Sequence, residues 1–114
     1  MVSVGTADGV ERWRLGAGGM IQHLGTDGHW YRQASGVSNN LTAGAAPSPE
    51  VCWAVGTDGT VLLTTDGAHW HRLSSPTAKN LLAVSAVDAS SAVVTAADGR
   101  RFATADGGRN WRPM

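Results

Sequence analysis

The chain has 114 residues, which is the length of one ordinary domain and is too short for a large two-domain enzyme. Nine Lys and Arg residues balance nine Asp and Glu residues, so net charge does not attract the chain to nucleic acid or to an anionic membrane. Only 16% of the residues are charged, whereas 15 glycines and 5 tryptophans are present, which favours strands joined by turns.

Residues 1–5 have neither the basic start nor the apolar core of a signal peptide, and the sequence contains no apolar run of about 18 to 20 residues. We therefore expect a soluble chain without membrane insertion, cytoplasmic as given. Cys52 is the single cysteine, so an internal disulfide is impossible and packing must stabilise the fold.

One pattern occurs three times along the chain, at a spacing of about 40 residues. A glycine recurs at this interval, and a Trp, an Asp and a second Trp recur around it with small shifts. The spacing is typical of repeat architectures and predicts three units, 1–40, 41–80 and 81–114. The equivalent residues are Gly19, Gly59 and Gly99; Trp13, Trp53 and Val93; Asp27, Asp66 and Asp106; and Trp30, Trp70 and Trp111.

Each unit is predicted to form four short antiparallel strands. In the middle unit, two runs of β-type residues, 51–57 and 60–65, flank the dipeptide Asp58-Gly59. Such a pair predicts a two-residue hairpin turn, because the backbone there needs a positive φ, which Gly and Asp tolerate. An earlier and a later run complete the four strands. The equivalent turns are Gly18-Gly19 and Asp98-Gly99.

A helix through residues 78–97, where Ala, Leu and Val are common, is the alternative in the third unit. The β-branched run from Val93 to Thr95 and the Asp-Gly turn that follows argue against it. The equivalent segment of the middle unit contains Pro47 and Pro49, which also disfavours a helix. We therefore predict strands throughout.

Residues 104–111 match the Asp-box pattern Ser/Thr-x-Asp-x-Gly-x-x-Trp at every specified position. In such a turn the carboxylate accepts backbone N–H bonds, glycine supplies the unusual φ, and the Trp folds back as an apolar plug. The same turn is one residue shorter in the middle unit and two shorter in the first, which predicts tighter variants. The matching residues of the third unit are Thr104, Asp106, Gly108 and Trp111.

Units of this length with an Asp box before the last strand resemble the blades of BNR/Asp-box β-propellers. The stretches 52–56, 60–67 and 97–108 are more closely similar to the photosystem II assembly-factor-like propeller family, and to the C-terminal blades of anti-sigma-factor-like bacterial proteins. The resemblance covers the whole chain and implies an all-β propeller used for protein interaction or scaffolding. An anti-sigma-like origin would place the chain outside the cytoplasm.

Three blades are fewer than the roughly 4 to 8 of typical propellers, and an open arc exposes the outer faces of its end blades. We therefore expect two chains to pair head to tail as a homodimer and to close a six-bladed ring by two-fold symmetry. The alternatives are an unidentified protein partner, the end of a longer propeller, and an excised or engineered piece of one.

Trp13 and Trp53 are predicted to lie one strand inward of the Asp-box turn, as a repeated apolar column. Packing between blades is the first interpretation, because such a column needs no ligand. The second is a lectin-like propeller, in which the two side chains line pockets that bind carbohydrate. A Trp exposed beside a polar pocket would distinguish the lectin from an interaction module.

The sequence predicts no catalytic residue, cofactor or metal. Sialidases, which share the Asp-box turn, need an Arg cluster and a Tyr nucleophile with a Glu partner, and only Tyr31, Glu11 and Glu50 are present. The two Glu residues have no glycosidase context of their own. His69 and His71 supply two imidazoles on one strand face, and a metal site needs more ligands than two.

Overall fold

The computed structural model describes residues 2–6 and 8–114, so Met1 and Ala7 of the first unit lie outside the described residues. Twelve β-strands and two short 3-10 turns, at Ala17–Gly19 and Thr57–Gly59, account for the regular structure of this part of the chain. The strands are β1 (Val2–Gly5), β2 (Glu11–Leu15), β3 (Ile21–Leu24), β4 (Trp30–Gln33), β5 (Leu41–Ser48), β6 (Val51–Gly56), β7 (Val61–Thr64), β8 (His71–Arg72), β9 (Leu81–Ala86), β10 (Ala92–Ala96), β11 (Arg101–Thr104) and β12 (Arg112–Pro113).

The strands form three four-stranded antiparallel sheets, in which each strand pairs with its neighbours in sequence. The first sheet contains β1 to β4, the middle sheet β5 to β8 and the third sheet β9 to β12. The all-β prediction is confirmed, including strands rather than a helix across residues 81–96. No helix in the described part of the chain is long and apolar enough to cross a membrane.

Two apolar clusters hold the three sheets together. The first joins residues of β2 and β3, such as Trp13 and Ile21, to Cys52 and Leu62 of the middle sheet. The second joins Trp53 and other residues of β6 and β7 to the third sheet. Because side chains alternate between the two faces of a strand, β6 and β7 supply one cluster with each face. The middle sheet is therefore buried on both sides and each end sheet on one.

The β6–β7 turn is one residue longer than predicted. The Gly56 N–H donates to the Thr60 carbonyl at 3.0 Å, which encloses three residues rather than two. Asp58 has a φ of 57° and Gly59 a φ of 73°, and the equivalent turn of the first sheet also has two consecutive glycines with positive φ. In the third sheet the turn differs again, because Gly99 has positive φ but Asp98 does not.

The segments that lead from one sheet to the next cover the turns of the first two sheets. The Asn40 side-chain oxygen accepts from the Gly18 N–H, and the Asn80 side-chain oxygen accepts from the Asp58 N–H, both at 3.0 Å. The sequence contains a signal for these two hydrogen bonds, an Asn-Leu pair repeated 40 residues apart. The motifs considered above did not include it. The connectors fix each turn against the start of the following sheet.

Candidate functional site: the Asp-box turns and the open sheet faces

The turn between β11 and β12 is organised by the Asp106 carboxylate. One carboxylate oxygen accepts from the Asn110 backbone N–H at 2.9 Å and from the Thr104 hydroxyl at 2.9 Å, and the other accepts from the Asn110 side chain at 2.8 Å. These bonds favour the charged form and lower the pKa of Asp106 from 3.8 to about 2, the Asn110 backbone N–H having the largest effect. The carboxylate is thus engaged within its own turn.

Asp66 and Asp27 perform the same role in the two shorter turns. Asp66 accepts from the backbone N–H groups of His69 and Ala68, at 2.8 and 2.9 Å, and the pKa of its carboxyl is lowered accordingly. Asp27 accepts from the Tyr31 hydroxyl and from the His29 N–H, and these bonds lower its pKa. In all three sheets the carboxylate stabilises a turn.

The Trp residues that follow these turns connect successive sheets. The Trp70 indole donates to the Gln33 side-chain oxygen of the first sheet, and the Trp111 indole donates to the Ser74 carbonyl just after the middle sheet, both at 2.8 Å. Trp111 also meets Trp53 edge to face, with ring centroids 6.3 Å apart. Two of the three box tryptophans therefore belong to the contacts between sheets.

Trp13 and Trp53, the candidates for ligand contact, are both 0% exposed. The Trp53 indole donates to the Asp88 carbonyl of the third sheet at 3.0 Å. The Trp13 indole N–H is buried and has no partner among the described residues. The residue equivalent to Asp88 is Ser48, which lies within the longer strand β5 rather than in a loop. Neither Trp presents a face to solvent.

The residues weighed for catalysis are dispersed. Tyr31 is 52% exposed on the outer strand β4, and its hydroxyl donates to Asp27, which raises the pKa of the phenol. Glu11 accepts from Arg14 at 3.0 Å, and Glu50 lies exposed in the short β5–β6 turn. The structure brings none of these three side chains into one site.

The histidines and the cysteine lie apart as well. His69 contacts Asp66 at 2.8 Å on the surface, and His71 is exposed on β8. Cys52 is buried between the first two sheets, and burial raises the pKa of its thiol. Within residues 2–6 and 8–114 no three His, Cys, Asp or Glu side chains gather where a metal ion could be held.

The outer face of the third sheet is open, and its residues differ from those at equivalent positions in the other sheets. Val93 takes the position of the two buried tryptophans, and Arg101 that of Ile21 and Val61. Val93 is half-buried and Arg101 exposed. The face therefore keeps the strand plan of the repeat and replaces its large apolar side chains.

Two cavities border this third-sheet face. One of about 490 Å³ lies against the Asp-box turn, and one of about 290 Å³ lies where the chain ends against β11. Their lining residues are Ala103, Thr104, Ala105, Asp106, Asn110 and Arg112 for the first, and Arg100, Arg101, Phe102, Pro113 and Met114 for the second.

The outer face of the first sheet is polar. Arg14 takes the place of Ala54 and Val94, which are buried in the other two sheets. Its guanidinium lies 3.9 Å from the centroid of the Trp30 ring and donates to Glu11. The neighbouring Arg12 pairs with Asp8 at 2.7 Å, and the pKa of that carboxyl is held at about 2 by hydrogen bonds, the largest from Thr6.

No protein-family model matches the sequence, and no curated protein does. The solved structure of YCF48 bound to a D1 peptide superposes with a TM-score of 0.76 and 20% identity, over 90% of this chain and 35% of that chain. YCF48 from Cyanidioschyzon merolae superposes with a TM-score of 0.73 and 22% identity, over 89% of this chain and 34% of that chain. The chain thus spans about a third of these structures, and the likeness shows that its three sheets have the fold of β-propeller blades.

Proposed function

We propose that the chain is a non-catalytic β-propeller module for protein binding or assembly. The observation that supports this most is the pair of open sheet faces at the ends of an elongated arc that measures 41 × 26 × 21 Å. The carboxylates of the Asp-box turns accept hydrogen bonds within their own turns, as expected of residues with a structural role in a scaffold. One similar structure is that of a propeller bound to a peptide of another protein, which is a function of the same class.

We further propose that a second copy of the chain completes the propeller, as a head-to-tail homodimer with six blades. Each open face occupies the position of a face that is covered inside the chain, so the contact between copies would continue the sheet-to-sheet packing. A different protein partner, or further blades of a longer chain, would cover the same faces.

Light scattering across a dilution series tests the proposal of ring closure. A mass of twice 11.8 kDa that falls toward 11.8 kDa on dilution supports it. A monomer that is well folded at every concentration overturns closure by a second copy, and leaves binding to a different partner as the function to test. A mass above the dimer overturns two-fold closure.

The assignment of the three turns to the BNR/Asp-box type, and of the chain to the photosystem II assembly-factor-like or anti-sigma-like propellers, is part of this proposal. It is supported by the backbone bonds of Asp66 and Asp106. The compartment in which the chain works stays a prediction from the sequence.

The carbohydrate-binding alternative is disfavoured because Trp13 and Trp53, the side chains predicted to line its pockets, have no exposed ring face. Tryptophan fluorescence against a panel of glycans tests it directly. A saturable shift with one glycan would overturn the preference for protein binding, and an unchanged spectrum across the panel would agree with it.

A further inference from the structure

We propose that the two open faces fit one another through an exchange of side-chain size, with Val93 of one copy meeting Arg14 of the next. This inference rests on the proposed closure by a second copy. It goes further in naming the residues at which the contact between copies differs from the contacts within a chain.

Inside the chain, a large side chain on one sheet and a small one on the next belong to the same apolar cluster. Trp13 shares the first apolar cluster with Ala54, and both are 0% exposed. Trp53 shares the second cluster with Val94, also 0% exposed. Ala54 and Val94 occupy the same position of their repeats, so the pairing of large with small is itself repeated. Protein interiors are close-packed, and two large groups at this point would not fit.

On the two open faces, the position that is large inside the chain holds a small residue, and the position that is small holds a large one. The position of the two tryptophans holds Val93, whose neighbours Ala92 and Val94 point into the second cluster, so the alternation of the strand directs Val93 outward. The position of Ala54 holds Arg14, which the neighbouring buried Trp13 and Leu15 direct outward in the same way. In the proposed contact a small residue on one face therefore meets a large one on the other, as a large and a small residue share each apolar cluster within the chain.

The other positions of the two faces agree in polarity. Arg101 on the third sheet replaces Val61, and Gln22 on the first sheet replaces Leu62. The carboxylates at the border of the first-sheet face, Asp8 and Glu11, are already paired with Arg12 and Arg14, and the third-sheet face carries the exposed Arg101. An apolar contact inside the chain would therefore become a polar contact between copies.

Trp30 would contribute a hydrogen-bond donor to the contact between copies. The equivalent Trp70 and Trp111 each donate an indole N–H to the sheet that precedes them. No hydrogen bond among the described residues involves the Trp30 indole, so it lacks the donation that its two equivalents make. In a closed ring the sheet that precedes the first is the third sheet of a second copy, so an acceptor at that sheet is the group that Trp30 would meet.

The test compares V93W with the double variant R14A/V93W by light scattering and sedimentation across a dilution series. V93W places two large side chains opposite one another, and we expect its dimer to dissociate about tenfold or more readily than the wild type. R14A/V93W recreates the Trp–Ala pairing found inside the chain, and we expect its dimer to regain at least the wild-type affinity. H71W, which adds a Trp to the exposed strand β8 away from both faces, is the matched control and should leave the dimer unchanged.

Thermal unfolding at a concentration where all variants are monomeric verifies that each one folds. A wild type that is monomeric at every concentration overturns the proposed ring closure, and this inference with it. A wild-type dimer that V93W leaves intact, or that R14A/V93W fails to restore, overturns the size exchange and leaves the ring closure standing.

Discussion

The middle sheet and the two end sheets share one strand plan but differ in how their faces are covered. In β6 the five residues from Cys52 to Gly56 are all buried, whereas in β10 buried and half-buried residues alternate. The equivalent positions change accordingly, from Trp53 to Val93 and from Val61 to Arg101. The comparison teaches that the repeat specifies the sheet, and that side-chain size and polarity at fixed positions show which faces the chain covers itself.

Replacing Trp53 with Ala is expected to have the largest effect, a loss of about 3 to 5 kcal/mol in the free energy of unfolding, because a buried aromatic leaves a cavity. V93A, at the same position of the third sheet, should lose less than about 1 kcal/mol in the monomer, because its face is open. Chemical denaturation of both variants measures the difference. Equal losses would contradict the contrast between covered and open faces.

The glycines of the equivalent turns should respond unequally to alanine. A Cβ on Gly59 would lie 1.9 Å from the Thr77 carbonyl oxygen, whereas a Cβ on Gly99 would meet nothing within 4 Å. Both have positive φ, which costs a non-glycine residue about 1 to 2 kcal/mol. G99A should lose only that amount, and G59A at least about 2 kcal/mol more, since the connector must move. Similar melting temperatures for the two variants would refute the difference.

The two buried tryptophans give a smaller contrast. W53F removes the indole bond to the Asp88 carbonyl, whereas W13F removes an N–H that has no partner among the described residues. Both lose similar volume, so we expect W53F to be less stable than W13F by about 1 kcal/mol. Urea unfolding compares them. A W13F as unstable as W53F would indicate that the Trp13 indole is satisfied by a buried water.

The smallest expected effect is on the stability of the chain at acid pH. The pKa of Asp106 is about 2 in the folded chain and 3.8 when unperturbed, so the unfolded chain binds more protons between these values. The stability that this carboxylate supplies is therefore present above about pH 4 and is lost as the pH falls toward 2. D106N should weaken the acid dependence of unfolding in that window. R109Q, which changes the charge of the same turn but keeps its carboxylate, should leave the acid dependence of unfolding unchanged. An unaltered acid dependence in D106N would contradict the prediction.

The number of sheets and the strand plan could be predicted from the sequence, because β-type runs and turn dipeptides recur at a constant interval. The positions of the hairpin turns could be predicted from the sequence, but their backbone conformations could not. Asp58 and Asp98 precede glycine in the same way, and only Asp58 adopts positive φ, at a turn whose N–H is bonded by Asn80. The third turn has no such connector among the described residues, and local sequence does not reveal that contact.

The sequence by itself determined that the chain forms three repeated antiparallel sheets, because alternation and turn chemistry act over a few neighbouring residues. Only the tertiary structure decided which face of each sheet is covered, which indoles find an acceptor, and that Trp13 and Trp53 are both wholly buried. A strand's pattern shows that it has two faces. What packs on each face depends on residues about 40 positions away, and on the volume and polar groups that they bring to the contact.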